Sequence, residues 1–69
     1  MAKNPSDTKV MISKGSVYFQ IKRYKESLLE FTKYVSIVKS DANAYYLKGL
    51  VEEKLKQYEA ALISFDMSV

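Results

Sequence analysis

Apolar positions along the chain fall three and four residues apart, the period of a helix that buries one face. Val10, Met11, Val17, Tyr18 and Ile21 form the first such run, and Ser6-Asp7 ahead of it supplies the short polar side chains that cap a helix start. Lys22-Arg23 interrupts the pattern. Tyr24, Leu28, Phe31, Val35 and Val38 then form a single stripe. Asp41 opens a second round, in which Tyr45, Tyr46, Leu47, Leu50, Val51 and Leu55 precede Lys56-Gln57, and Tyr58, Ala61, Leu62, Phe65 and Val69 follow. Four helices are predicted, at about residues 8–21, 24–38, 42–55 and 58–68.

The second half is a rewriting of the first. Setting each residue beside the one 34 positions later makes ten of 35 pairs identical without a gap, among them Ser6/Ser40, Asp7/Asp41, Lys14/Lys48, Gly15/Gly49, Tyr24/Tyr58 and Phe31/Phe65. Each unit reads as helix, short turn, helix. In an antiparallel hairpin, residues equidistant from the turn face each other, so Gly15 meets Ser27, Met11 meets Phe31 and Tyr18 meets Tyr24. In the second unit Gly49 meets Ala61 and Tyr45 meets Phe65. An interior glycine costs a helix about 1 kcal/mol relative to alanine. Facing a small residue, it lets the two backbones approach, and Gly15→Leu is expected to unfold the unit.

The 34-residue period, with Met11, Gly15, Tyr18, Tyr24, Ser27 and Phe31 in one unit and Tyr45, Gly49, Tyr58, Ala61 and Phe65 in the other, resembles tetratricopeptide repeats. Three positions depart from that pattern: Glu52 stands where a Tyr is usual, Tyr34 and Ser68 where an Ala is usual, and Lys39 where a Pro closes the repeat. The resemblance implies an all-α fold of two antiparallel helix-turn-helix repeats stacked as a short right-handed α-solenoid. Residues 1–7 would be an N-terminal cap or linker, 8–41 the first repeat and 42–69 the second, truncated at its C-terminal end. Asn4-Pro5 and the early stop at Val69 would suit a piece of a longer array. With no polar capping helix visible, the apolar face of residues 58–69 is expected to drive homo-oligomer formation.

The resemblance also implies a function. The first helices of stacked repeats line a concave groove, which here would carry Lys9, Ile12, Ser16, Phe19 and Gln20, then Asn43, Tyr46, Leu50, Glu53 and Lys54. Such a groove suits an extended peptide or an amphipathic helix of another protein, with Phe19 and Tyr46 as anchors and Lys9 and Asn43 as polar contacts. The same apolar residues could instead pack one repeat on the next. Some family members clamp a C-terminal carboxylate with Lys and Asn, but the corresponding positions are Ile12, Ser16 and Leu47, so that clamp is missing. The expectation is a scaffold or adaptor that binds a partner protein. A structural or self-assembly module is the alternative.

Composition narrows the remaining classes. Sixty-nine residues make one small domain near the limit of independent stability. No cysteine or histidine is present, which removes disulfides, thiolate metal sites and the commonest general base. Glu52-Glu53 is the one adjacent carboxylate pair, but neighbours on a helix point about 100° apart and do not converge on one atom. The expectation is therefore no enzyme, no cofactor and no metal. The net charge of +3 is unevenly spread, with eight Lys/Arg against three Asp/Glu in residues 1–40 and three against five in residues 41–69. This asymmetry suits a solvated surface, steering of a partner, or head-to-tail self-association. Nucleic-acid binding at Lys22, Arg23, Lys25, Lys33 and Lys39 is disfavoured, because Tyr24 is already committed to the stripe. No apolar run suits a signal or membrane segment, so a cytoplasmic protein is expected.

Overall fold

A computed structural model describes residues 7–69. Four helices follow one another: α1 (Thr8–Gln20), α2 (Tyr24–Ile37), α3 (Ala42–Lys54) and α4 (Tyr58–Met67). The described residues contain no strand. Helix α1 packs on α2, α3 packs on α4, and α2 also packs on α3, so the second helix of the first pair joins the two pairs. The Cα atoms span 40 × 26 × 13 Å, and so thin a slab leaves few residues far from solvent. Ser6, Asn4-Pro5 and most of the expected N-terminal cap or linker lie outside the described residues.

The helix starts follow the polar caps. Asp7 accepts a hydrogen bond from the Lys9 amide at 3.1 Å, and Asp41 accepts one from the Ala44 amide at 3.2 Å. Each satisfies a first-turn N–H that has no partner inside its helix. The stops are less obvious. After Ile21 and Leu55 the chain turns through Lys22 and Lys56 with φ of 66° and 63°, in the left-handed region. In both turns the next amide returns to the helix, Arg23 N–H to the Tyr18 carbonyl and Gln57 N–H to the Glu52 carbonyl, each at 2.8 Å. This is a Schellman closure, which usually places glycine at the left-handed position.

Within the first pair, the Ser27 hydroxyl donates to the Gly15 carbonyl at 2.7 Å, so these two residues do face each other. The space beside the glycine is occupied by a ring. A Cβ on Gly15 would lie 2.6 Å from Phe31 Cε1, and one on Gly49 would lie 2.6 Å from Phe65 Cε1. Glycine therefore makes room chiefly for the phenylalanine four residues beyond its small partner. The aromatic pairs also differ from the hairpin expectation. Tyr24 packs edge-on to Phe19 with centroids 5.5 Å apart, and Phe65 packs against Tyr46 at 5.8 Å. The facing rule counts residues along straight axes, and these rings come from one position further along the first helix.

The core comprises Met11, Phe31, Val35, Ala44, Val51 and Ala61, together with buried Ser27, Glu30, Glu52 and Ser64. Ala44 and Val51, seven residues apart, lie on the opposite side of α3 from Gly49. Gly49 faces α4 through Phe65, so it is α2 that covers Ala44 and Val51. That second contact surface buries α3 on two sides, while Ala42, Asn43, Tyr46, Glu53 and Lys54 stay exposed.

Candidate functional site

Two polar clusters link the helices within the pairs. In the second pair Glu52, 3% exposed, accepts from Lys48 Nζ and from Ser64 Oγ, each at 2.7 Å. In the first pair the carboxylate is Glu30 on α2, with Lys14 Nζ at 3.7 Å and Lys33 Nζ at 3.6 Å. The 34-residue register equates Lys14 with Lys48, Tyr18 with Glu52 and Glu30 with Ser64. Both pairs thus set a lysine of the first helix against a buried carboxylate, supplied once by the second helix and once by the first. The departure at Glu52 is accommodated because its partner position carries a serine. Glu53, its neighbour in sequence, is exposed, so the two carboxylates share no site.

A clasp joins the pairs at the loop between α2 and α3. The Tyr34 hydroxyl donates to Asp41 Oδ2 at 2.7 Å, while Asp41 Oδ1 caps α3. The Tyr34 bond, followed by the Ala44 amide, holds the Asp41 carboxyl below its ordinary value, and the same bond raises the Tyr34 phenol above its own. A lowered carboxyl contributes stability above its unfolded pKa and loses it as pH falls through the folded value. A raised phenol contributes below its unfolded pKa and loses it as pH rises through the folded one. The clasp therefore persists across the neutral range, and Tyr34 has a role in the place where a small residue is usual.

Over this frame, α1 and α3 flank a pocket of about 180 Å³ lined by Ser16, Phe19, Gln20, Phe31, Leu47 and Leu50. Phe31 reaches it from α2 and closes the floor. Of the groove residues expected from sequence, Ser16, Phe19, Gln20 and Leu50 come together here. Lys9, Asn43, Glu53 and Lys54 are exposed, and Ile12 is half-buried, none of them lining this pocket. Tyr46 is 47% exposed and leans on Phe65 rather than into the pocket. Periodicity places Phe31 and Leu47 only in the apolar runs of their helices. Phe31 belongs to the core and also floors the pocket, and half-buried Leu47 forms part of its wall, which a two-sided helical wheel cannot express.

The described residues contain no cluster of acidic, histidine or cysteine side chains able to hold a metal ion, and no helix long and apolar enough to cross a membrane. No curated protein and no solved structure matches the chain. Residues 42–66 match the family model of the tetratricopeptide repeat. That segment holds α3, the Schellman turn and nearly all of α4, and its packing is repeated by α1 and α2. Residues 42–66 are therefore similar to a tetratricopeptide repeat, a module that in general serves protein–protein interaction, and they lie within a fold of two helix-turn-helix pairs.

Proposed function

We propose that the chain binds a segment of a partner protein on the face shared by α1 and α3, with one apolar side chain of that segment seated between Ser16, Phe19, Leu47 and Leu50. The supporting observation is the pocket itself. At about 180 Å³ it is smaller than the 300–1,000 Å³ of small-molecule and cofactor sites, and of a size for a single side-chain anchor. Its walls are apolar, with Ser16 and Gln20 at hand for the backbone of the bound segment. Lys9, Ile12, Asn43 and Tyr46 extend the same two helices beyond the pocket and provide flanking contacts. Because the helix pairs are fixed by the Lys48–Glu52–Ser64 cluster and the Tyr34–Asp41 clasp, the partner bears most of the ordering cost.

The test is selection of peptides from a random library on the folded chain, followed by titration against a Ser16→Phe variant. Ser16 is exposed at the rim, so the larger side chain plugs the pocket without removing core. Selected peptides should share one large apolar residue and bind the variant at least about tenfold more weakly, the worth of one well-buried anchor. Equal binding to both proteins would place the interaction elsewhere.

A further inference from the structure

The 34-residue register compares a covered face with an uncovered one inside the same molecule. Where α2 meets α3, Val35 on one helix and Ala44 and Val51 on the other are buried, Val51 completely at 0% exposure. Of their equivalents, Val69 and Val17 are exposed at the two ends of the slab, and Val10 is half-buried. On α4, Leu62 takes the place of half-buried Leu28 and is 65% exposed, and Tyr58 takes the place of half-buried Tyr24 and is also open. On α1, Val17 takes the place of Val51 and is 53% exposed, and Ile21 is open next to it. A shallow hollow of about 310 Å³ lies on this α1 face, lined by Ser13, Lys14, Val17 and Tyr18. One end of the molecule therefore presents an α2-like surface, and the other presents the α3-like surface that fits it.

Charge follows the same division. Helix α2 balances Lys25 and Lys33 with Glu26 and Glu30, and α3 balances Lys48 and Lys54 with Glu52 and Glu53. The outer helices are unbalanced in opposite senses. Helix α1 carries Lys9 and Lys14 and no acid, whereas α4 carries Glu59 and Asp66 and no base. Packing α4 on α4 would bring four carboxylates together, which opposes a symmetric dimer through that face. Packing α4 on α1 instead sets an acidic helix against a basic one, with Lys9 free of the Glu30 pairing that engages Lys14.

We infer that the chain stacks head to tail on a second copy of itself, the outward face of α4 seated on the outward face of α1 of the next copy and repeating the internal α2–α3 contact. Such an interface is heterologous and leaves one free face of each kind, so assembly continues beyond two copies. The stack also completes the groove. By the same register, Leu50, Glu53, Lys54 and Phe65 of one copy meet Ser13 and Ser16 of the next in a second, more polar pocket over α4, which a lone chain lacks.

Sedimentation equilibrium on the wild-type chain and on Val17→Glu and Leu62→Glu variants tests this. Both positions are more than half exposed, so each variant should keep the helical circular dichroism of the parent. The wild-type average mass should climb with concentration above the 7.9 kDa of one chain and pass the value for two. Each variant alone should remain at one chain, and an equimolar mixture should form a one-to-one dimer that grows no further, since each partner supplies the face the other has lost. A wild-type chain that stays at one copy up to about millimolar concentration would overturn the inference, this being the weak limit for a small interface. Association of Val17→Glu by itself would overturn it too, because only contact between like faces remains open to that variant.

Discussion

Glycine at position 15 is fixed by the phenyl ring of Phe31, which is 1% exposed and has nowhere to retreat. Replacing Gly15 by alanine gains about 1 kcal/mol of helix propensity. It also forces a Cβ into that ring, and overpacking of a closed core costs about 1–3 kcal/mol. The net expectation is a loss of up to about 2 kcal/mol in a urea melt. In a Phe31→Leu background the ring edge is gone and the propensity gain should survive, so the same glycine substitution becomes neutral or stabilising. An identical cost in both backgrounds would mean that the glycine answers to something other than the ring.

Each helix pair solves one problem at the level of its elements, how to seat a lysine against a buried carboxylate, by opposite assignments. Glu52→Tyr alone leaves Lys48 Nζ without its carboxylate and the Ser64 hydroxyl without its acceptor. Unmet groups of this kind cost about 1–3 kcal/mol. Ser64→Glu alone crowds a second carboxylate against Glu52. The double variant writes the first pair's solution, Tyr18 with Glu30, into the second pair. It should be more stable than the sum of the two single changes allows, with a coupling of about 1 kcal/mol or more in a double-mutant cycle. Additive effects would show that the two clusters are not equivalent.

For the whole molecule, the deciding contact is α2 against α3. Val17 and Val51 are the same residue at the same register position, yet one is more than half exposed and the other wholly buried. Val51→Ala removes methyl groups from a closed interface and should cost about 2 kcal/mol, the lost transfer energy plus the cavity. Val17→Ala should change stability by less than about 0.5 kcal/mol in dilute solution, where its face meets only water. Thermal melts of the two variants side by side measure the difference. Equal losses would place Val17 inside the monomer's fold.

The number, order and approximate ends of the helices were legible in the sequence, because they rest on local signals: apolar spacing, the Asp7 and Asp41 caps, and an ungapped 34-residue repeat. Periodicity could not show that Phe31 fills the space beside Gly15, that Phe19 packs on Tyr24, or that Glu52 is buried on Lys48 and Ser64. Those depend on the offset and rotation between helices, which are set by side-chain shape. Part of the candidate site was legible for the same reason, since Ser16, Phe19 and Leu50 share helix faces that any wheel reveals. Phe31 and Leu47 enter only once α2 lies beneath α1 and α3, so that one side chain serves core and groove together. The sequence by itself determined two copies of a helix pair. Tertiary structure alone decided which copy of each repeated residue is buried, because burial belongs to the neighbour that covers a face and identical residues here have different neighbours.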